Sequence, residues 1–167
     1  MPRPLALTLA FASAAWQTRW QDWGDSQLRL TLQPTDLVEL CEHVAAVHWS
    51  KARSKRLQLR LNLDPTLPAL MALDPHRVQQ VLHNLLSNAI KFSERGEVVL
   101  WARRQGEWIL CGVDDEGPGI SAELLPRLFL PFEQGEEPGQ PRAQGTGLGL
   151  AICRQLMEQI GGEIRVE

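Results

Sequence analysis

Between Asp36 and Gly162 the apolar residues change period repeatedly, from helical to alternating and back, and no other feature of the 167-residue chain limits the fold as much. Leu37, Leu40, Cys41, Val44 and Val47 recur at helical spacing. Asp36 and Glu39 stand at the start of this run and Lys51, Arg53, Lys55 and Arg56 at its end, the charge order that suits a helix dipole. Strict alternation follows in LQLRLNL, where Leu57, Leu59, Leu61 and Leu63 predict a half-buried strand closed by Asp64-Pro65. The helical period returns after Asp74, a predicted N-cap with Pro75 at the first helical position, and puts Val78, Val81, Leu82, Leu85 and Ala89 on one stripe. EVVLWARR and WILCGVDD then alternate on either side of QGE, which predicts an antiparallel pair turning at Gly106. GTGLGLAICRQLMEQIGG reads as a helix opened by glycines and ended by Gly161-Gly162, before the strand-like EIRVE. A hairpin among these elements excludes a purely wound parallel sheet. The expected fold is α+β, a two-layer α/β sandwich with one helical layer on a mixed sheet.

The net charge of -3, from 17 basic and 20 acidic residues without long like-charge blocks, argues against nucleic acid as a partner. Cys41, Cys111 and Cys153 form no CxxC pair and have no metal-like histidine spacing, so they read as reduced thiols of a cytoplasmic protein. MPRPLALTLAFASAAW imitates a secretory signal but is too short to span a membrane. It is read as the apolar face of a helix continuing through Trp16, Trp20 and Trp23, so that residues 1–25 form an N-terminal helix or linker ahead of a domain over 26–167.

NLLSNAIKF carries the first candidate chemistry. With Val78 as zero and 100° per residue, the apolar side chains of this helix centre on zero, while Arg77, Asn84, Asn88 and Lys91 fall between about 220° and 280°. Amide oxygens are hard neutral ligands suited to Mg2+, and a lysine one turn away supplies charge to phosphate. Taken alone, the stripe reads as a solvated helix face. In DDEGPGI, Asp115 ends a strand and Gly117 and Gly119 follow. A carboxylate there accepts from an exocyclic amine, and bare glycines let a planar ring approach, although an acidic turn has the same composition. Asp114 is expected on the opposite strand face. GTGLGL places free N–H groups and a positive dipole end where phosphates bind, with neither GxGxxG nor GxxxxGK[ST] spacing. The Gly- and Pro-rich residues 133–144 are expected to form a loop.

In this order the segments resemble the ATP-binding catalytic domain of sensor histidine kinases, in the superfamily shared with gyrase-type, MutL and chaperone ATPases, the Bergerat-type ATP-binding fold. NLLSNAIKF looks like its N box, DDEGPGI its first glycine box, LFLPFEQ its phenylalanine box and GTGLGLAI its second glycine box. The resemblance runs from about Thr31 to Glu167. It implies ATP and Mg2+ as ligands, with Asn88 on the metal, Asn84 and Lys91 assisting at the phosphates, and Asp115 on the adenine amine. It further implies that Gly117 and Gly119 shape the purine pocket and that Phe129 and Phe132 anchor an ATP lid over 133–144. Arg142 would reach toward the γ-phosphate, and Gly145, Thr146, Gly147, Leu148 and Gly149 would meet the phosphates.

The resembling ATPases carry a glutamate at the position of Asn84, where it serves as general base toward water. An amide cannot do that work, and a kinase whose nucleophile is an imidazole does not need it. The resemblance therefore implies phosphoryl transfer to histidine. None of His43, His48, His76 and His83 is followed by an acid, as the family's acceptor histidine is, so the acceptor is expected on a separate phosphoacceptor domain, with a response regulator beyond it. The parent protein is expected to be a homodimer, with no membrane insertion in this segment. The chain stops short of the family's final glycine-containing hairpin, so one strand is expected to be missing. An anti-sigma-factor-type serine/threonine kinase and a non-catalytic nucleotide-sensing module are the alternatives.

Overall fold

The computed structural model describes residues 5–12, 30–133 and 146–166. Its elements are β1 (Leu5–Ala12), β2 (Gln33–Thr35), α1 (Leu37–Ser54), β3 (Gln58–Leu63), β4 (Met71–Leu73), α2 (Pro75–Phe92), β5 (Glu97–Gln105), β6 (Trp108–Asp115), a 3-10 turn at Leu125–Arg127, α3 (Gly149–Gln159) and β7 (Glu163–Val166). The main sheet runs β3-β5-β6-β1-β7. β3 and β5 are parallel and every other neighbouring pair is antiparallel, so the sheet is mixed. β2 and β4 form a separate antiparallel pair.

The helices cover one sheet face. Val98, Leu100 and Ala102 of β5 and Ile109, Cys111 and Val113 of β6 enter one core with Leu37, Cys41 and Val44 of α1, Val78, Leu82, Leu85 and Ile90 of α2, and Cys153 and Met157 of α3. This is the expected two-layer arrangement. α2 touches α1, α3, β5 and β6, turning His83 toward α1 and Asn84 toward the start of α3. Its start follows the sequence: Asp74 Oδ1 accepts from Arg77 N at 3.2 Å, and Pro75 occupies the first turn, where its missing N–H costs nothing. Asp36 caps α1 in the same way, accepting from Val38 N and Glu39 N.

Two elements differ from the sequence reading. Residues 5–12 are a strand, not part of an N-terminal helix. Leu5 pairs with Asp115 and Ala12 with Trp108, while Leu7 to Ala10 pair on the other side with Val166 to Glu163. The physical reason is already in LALTLAFA, where Leu5, Leu7, Leu9 and Phe11 alternate with smaller residues at a period of two; two facing strand edges, β6 and β7, supply hydrogen bonds that a helix could not take up. β1 therefore makes the sheet continuous between β6 and β7. Trp16, Trp20 and Trp23 lie outside the described residues. The second difference is small: β2 and β4, three residues each, are too short for alternation to register. No helix among the described residues is long and apolar enough to cross a membrane.

Candidate functional site

Asp115 ends β6 on the helix-covered face and is 6% exposed. Alternation sends Asp114 the other way, where its Oδ1 accepts from Trp101 Nε1 at 2.7 Å. Asp115 Oδ1 accepts from Gly117 N at 2.8 Å and from the buried Ser93 hydroxyl at 3.4 Å. Burial holds its carboxyl above the ordinary carboxylate range; the bonds from Gly117 and Ser93 pull the other way, and the Asp114 charge adds to the rise. A Cβ on Gly117 would lie 2.6 Å from Asp115 Oδ1 and 3.4 Å from Phe92 O, so this approach of chain to carboxylate requires glycine.

Along α2, Lys91, Asn88 and Asn84 are half-buried. Lys91 has its pKa lowered by burial and then by the charge of Lys51, and its Nζ sits 5.0 Å from the Phe92 ring centre. Asn84 lies in the seam with α3: a Cβ on Gly149 would stand 3.3 Å from its Oδ1. Its side chain also bonds Cys153, whose thiol burial pushes up to about 12 against that bond. Arg77 falls on the stripe by angle, but its Nε lies 3.9 Å from the N-cap carboxylate of Asp74, which gives it a part in the helix start.

The second glycine segment is held by the phenylalanine segment. Phe132 N donates to Gly147 O at 3.0 Å, with both residues at positive φ, 64° and 68°. The phenylalanine rings divide: Phe129 packs on the core, while Phe132 is 75% exposed, so the backbone of Phe132 makes the anchor. Arg127 Nη2 and Glu133 Oε1, 2.7 Å apart, close the base of this segment. α3 opens after Leu148 with no side-chain cap among the described residues, which leaves first-turn N–H groups for an anion. Thr146 is exposed and Gly119 has φ +77°. Of the expected lid over 133–144, only Glu133 is among the described residues; Arg142 and Gly145 lie outside them.

The structure thus brings together Asp115, Gly117 and the end of α2, and separately Asn84, Gly149 and the start of α3. Ser93, beside Asp115, lies nine residues beyond Asn84, about 13 Å along the helix at 1.5 Å per residue, and Asn88 and Lys91 fall between. A hollow of about 400 Å3 lined by Asn62, Asp64, Trp101, Arg103 and Asp114 is on the opposite sheet face and shares none of these residues. Sequence reasoning missed Ser93, whose one signal is its place immediately after the amphipathic run, and Lys55, whose Nζ reaches the carbonyls of Ile90, Lys91 and Ser93.

Residues 73–167, which hold Asn84, Asn88, Lys91, Asp115 and both glycine segments, match the family of histidine kinase-, DNA gyrase B-, and HSP90-like ATPases. The chain belongs to that family. It is 40% identical over 141 residues to the sensor histidine kinase RcsC of Escherichia coli K12, a match covering 83% of this chain and 15% of that relative. Among solved structures, full-length ShkA in complex with AMPPNP aligns at TM-score 0.68 and 32% identity, covering 80% of this chain and 27% of that one. The catalytic domain of the histidine kinase ThkA aligns at 0.66 and 30%, covering 77% and 81%, and ThkA has also been solved with the response regulator TrrA, at 0.62 and 27%, covering 77% and 35%. The chain is a histidine-kinase-like ATPase domain, and it spans about a seventh of the length of RcsC.

Proposed function

We propose that this domain binds ATP with Mg2+ along α2 and transfers the γ-phosphoryl group to a histidine on a separate phosphoacceptor domain, from which a response regulator is charged. The observation that carries the reading is the buried Asp115 carboxylate beside two glycines, with its second oxygen outside the Gly117 and Ser93 bonds. That oxygen accepts from the adenine amine, and Gly117 and Gly119 leave room for the ring.

Toward the other end, the half-buried Asn88 supplies a neutral amide oxygen. Among the described residues no group of three or more His, Cys, Asp or Glu side chains holds a metal by itself. A hard amide oxygen suits Mg2+, which takes few protein ligands when phosphate oxygens and water supply the rest. When bound, the metal neutralises phosphate charge. Lys91 adds a positive charge, and the N–H groups at the start of α3 donate to the phosphate oxygens beside Asn84. Asn84 has no proton-accepting power, so it orients and does not activate water. The domain's work is positioning and charge stabilisation.

The test is incubation with γ-labelled ATP and a supplied histidine-bearing hairpin domain. The expected result is Mg2+-dependent label on the acceptor, lost in acid and stable in base. Acid-stable label would assign a hydroxyl acceptor, and tight ATP binding with no transfer to any supplied acceptor would assign a sensing module.

A further inference from the structure

We infer that Lys55 is a positioning residue for the purine end of the site, an inference that rests on reading Asp115 as the adenine carboxylate. Lys55 lies one residue beyond α1. Its Nζ donates to Ile90 O at 2.7 Å, Lys91 O at 2.9 Å and Ser93 O at 2.8 Å. An ammonium has three protons, and here all three are spent on carbonyls where α2 ends. Carbonyls of a last helical turn have no acceptor role left inside the helix and carry its negative dipole end, so a cation there is held by charge as well as by hydrogen bonds.

The three carbonyls bracket Phe92, whose own oxygen is the wall that faces Gly117. The last of them belongs to Ser93, whose hydroxyl donates to Asp115. One side chain at the C-cap of α1 thus fixes both the partner and the wall of the candidate purine carboxylate, without touching the carboxylate. The base of that side chain is itself fixed. Lys55 N donates to Ala52 O at 3.1 Å, Leu57 N returns to the same carbonyl at 3.0 Å, and Arg56 between them takes φ +59°, after which Gln58 N bonds Gly96 O at 2.9 Å. The turn that launches Lys55 is therefore tied to the strand ladder on one side and to the last turn of α1 on the other. An arginine keeps the charge but spreads its donors in a planar fork, which cannot converge on three carbonyls around one nitrogen.

The experiment compares the wild-type domain with Lys55→Met and Lys55→Arg by calorimetric titration with ATP, GTP and inorganic tripolyphosphate, well below each melting temperature. Lys55→Met is expected to weaken ATP about tenfold, to narrow the preference for ATP over GTP by a similar factor, and to leave tripolyphosphate unchanged. Lys55→Arg is expected to fall between. A purely structural role would lower the melting temperature and leave the base preference of the folded protein intact, and that result overturns the inference. If Lys55→Met does not fold, the base preference of Lys55→Arg decides on the same terms. A wild-type domain that fails to bind ATP overturns the nucleotide reading itself, whereas wild-type binding with an unaltered base preference in the variants overturns the role of Lys55 alone.

Discussion

Asp115→Asn separates recognition from folding in one substitution. Oδ1 of Asp115 satisfies two donors, Gly117 N at 2.8 Å and the Ser93 hydroxyl at 3.4 Å. In the variant the amide oxygen must stay there, because turning the amide round would set a donor against donors in a buried place. The NH2 group then occupies the position of the second carboxylate oxygen and meets the adenine amine donor to donor. The loss is that of a hydrogen bond to a charged acceptor, about 1.5–3 kcal/mol, or roughly 10- to 150-fold in Kd. Folding moves the other way. Burial penalises the charged carboxyl and raises its pKa, and a neutral amide of the same shape removes that cost. The expectation in titration calorimetry is a Kd for ATP raised by that factor, an unchanged Kd for tripolyphosphate, and a melting temperature equal to or above the wild type. ATP affinity within about threefold of the wild type in a folded variant would refute the assignment.

Asn88→Ala is expected to abolish the Mg2+ dependence of ATP binding while sparing metal-free binding, and a Mg2+ titration that still tightens ATP as in the wild type would reassign the ligand. Gly147→Ala forces φ +68° on a residue with a Cβ, about 1–2 kcal/mol, and sets that Cβ 2.9 Å from the Phe132 backbone. Urea denaturation should show at least that loss, together with weaker ATP binding; equal stability would refute the strain. His48 Nε2 and His83 Nδ1, 3.0 Å apart, join α1 to α2 through a bond that needs one bare ring nitrogen. Burial lowers both pKa values, and the charges of His83 and Lys51 lower that of His48 further. Folded values below the unfolded value of about 6.5 mean that this stabilisation is complete above that pH and lost as pH falls from there through the folded values. The urea midpoint should therefore drop as pH falls below about 6.5, and less steeply in His48→Gln; an identical slope in the variant would exclude the pair as the cause.

The helical layer and the hairpin were legible because their signals are local. Asp74-Pro75 starts α2, Gly106 turns β5 into β6, and alternation separates Asp114 from Asp115. β1 escapes a local reading although LALTLAFA alternates as strictly as LQLRLNL. Alanine and leucine favour helices, and the strand's partners lie more than 95 residues away, where no local pattern records them. Asn84, Asn88 and Asp115 could be picked out as chemically unusual for their positions. Lys55 could not, because a lysine at a helix end is explained by the helix's own dipole, and its real partners belong to the end of another helix. Arg77 fails for the opposite reason: its helical angle is right, but a neighbouring cap carboxylate claims it.

The placing of β1 bears on how the domain is made. Residues 5–12 leave the ribosome long before 108–115, and longer still before 163–166, the two segments that flank them in the sheet. Until both have been synthesised the strand has an open hydrogen-bonding edge, and native pairing must then close loops of more than 95 and more than 150 residues, the slow kind of step that high contact order brings. During that interval the nascent segment is a ready mate for any other unpaired edge, including β6 of a neighbouring copy.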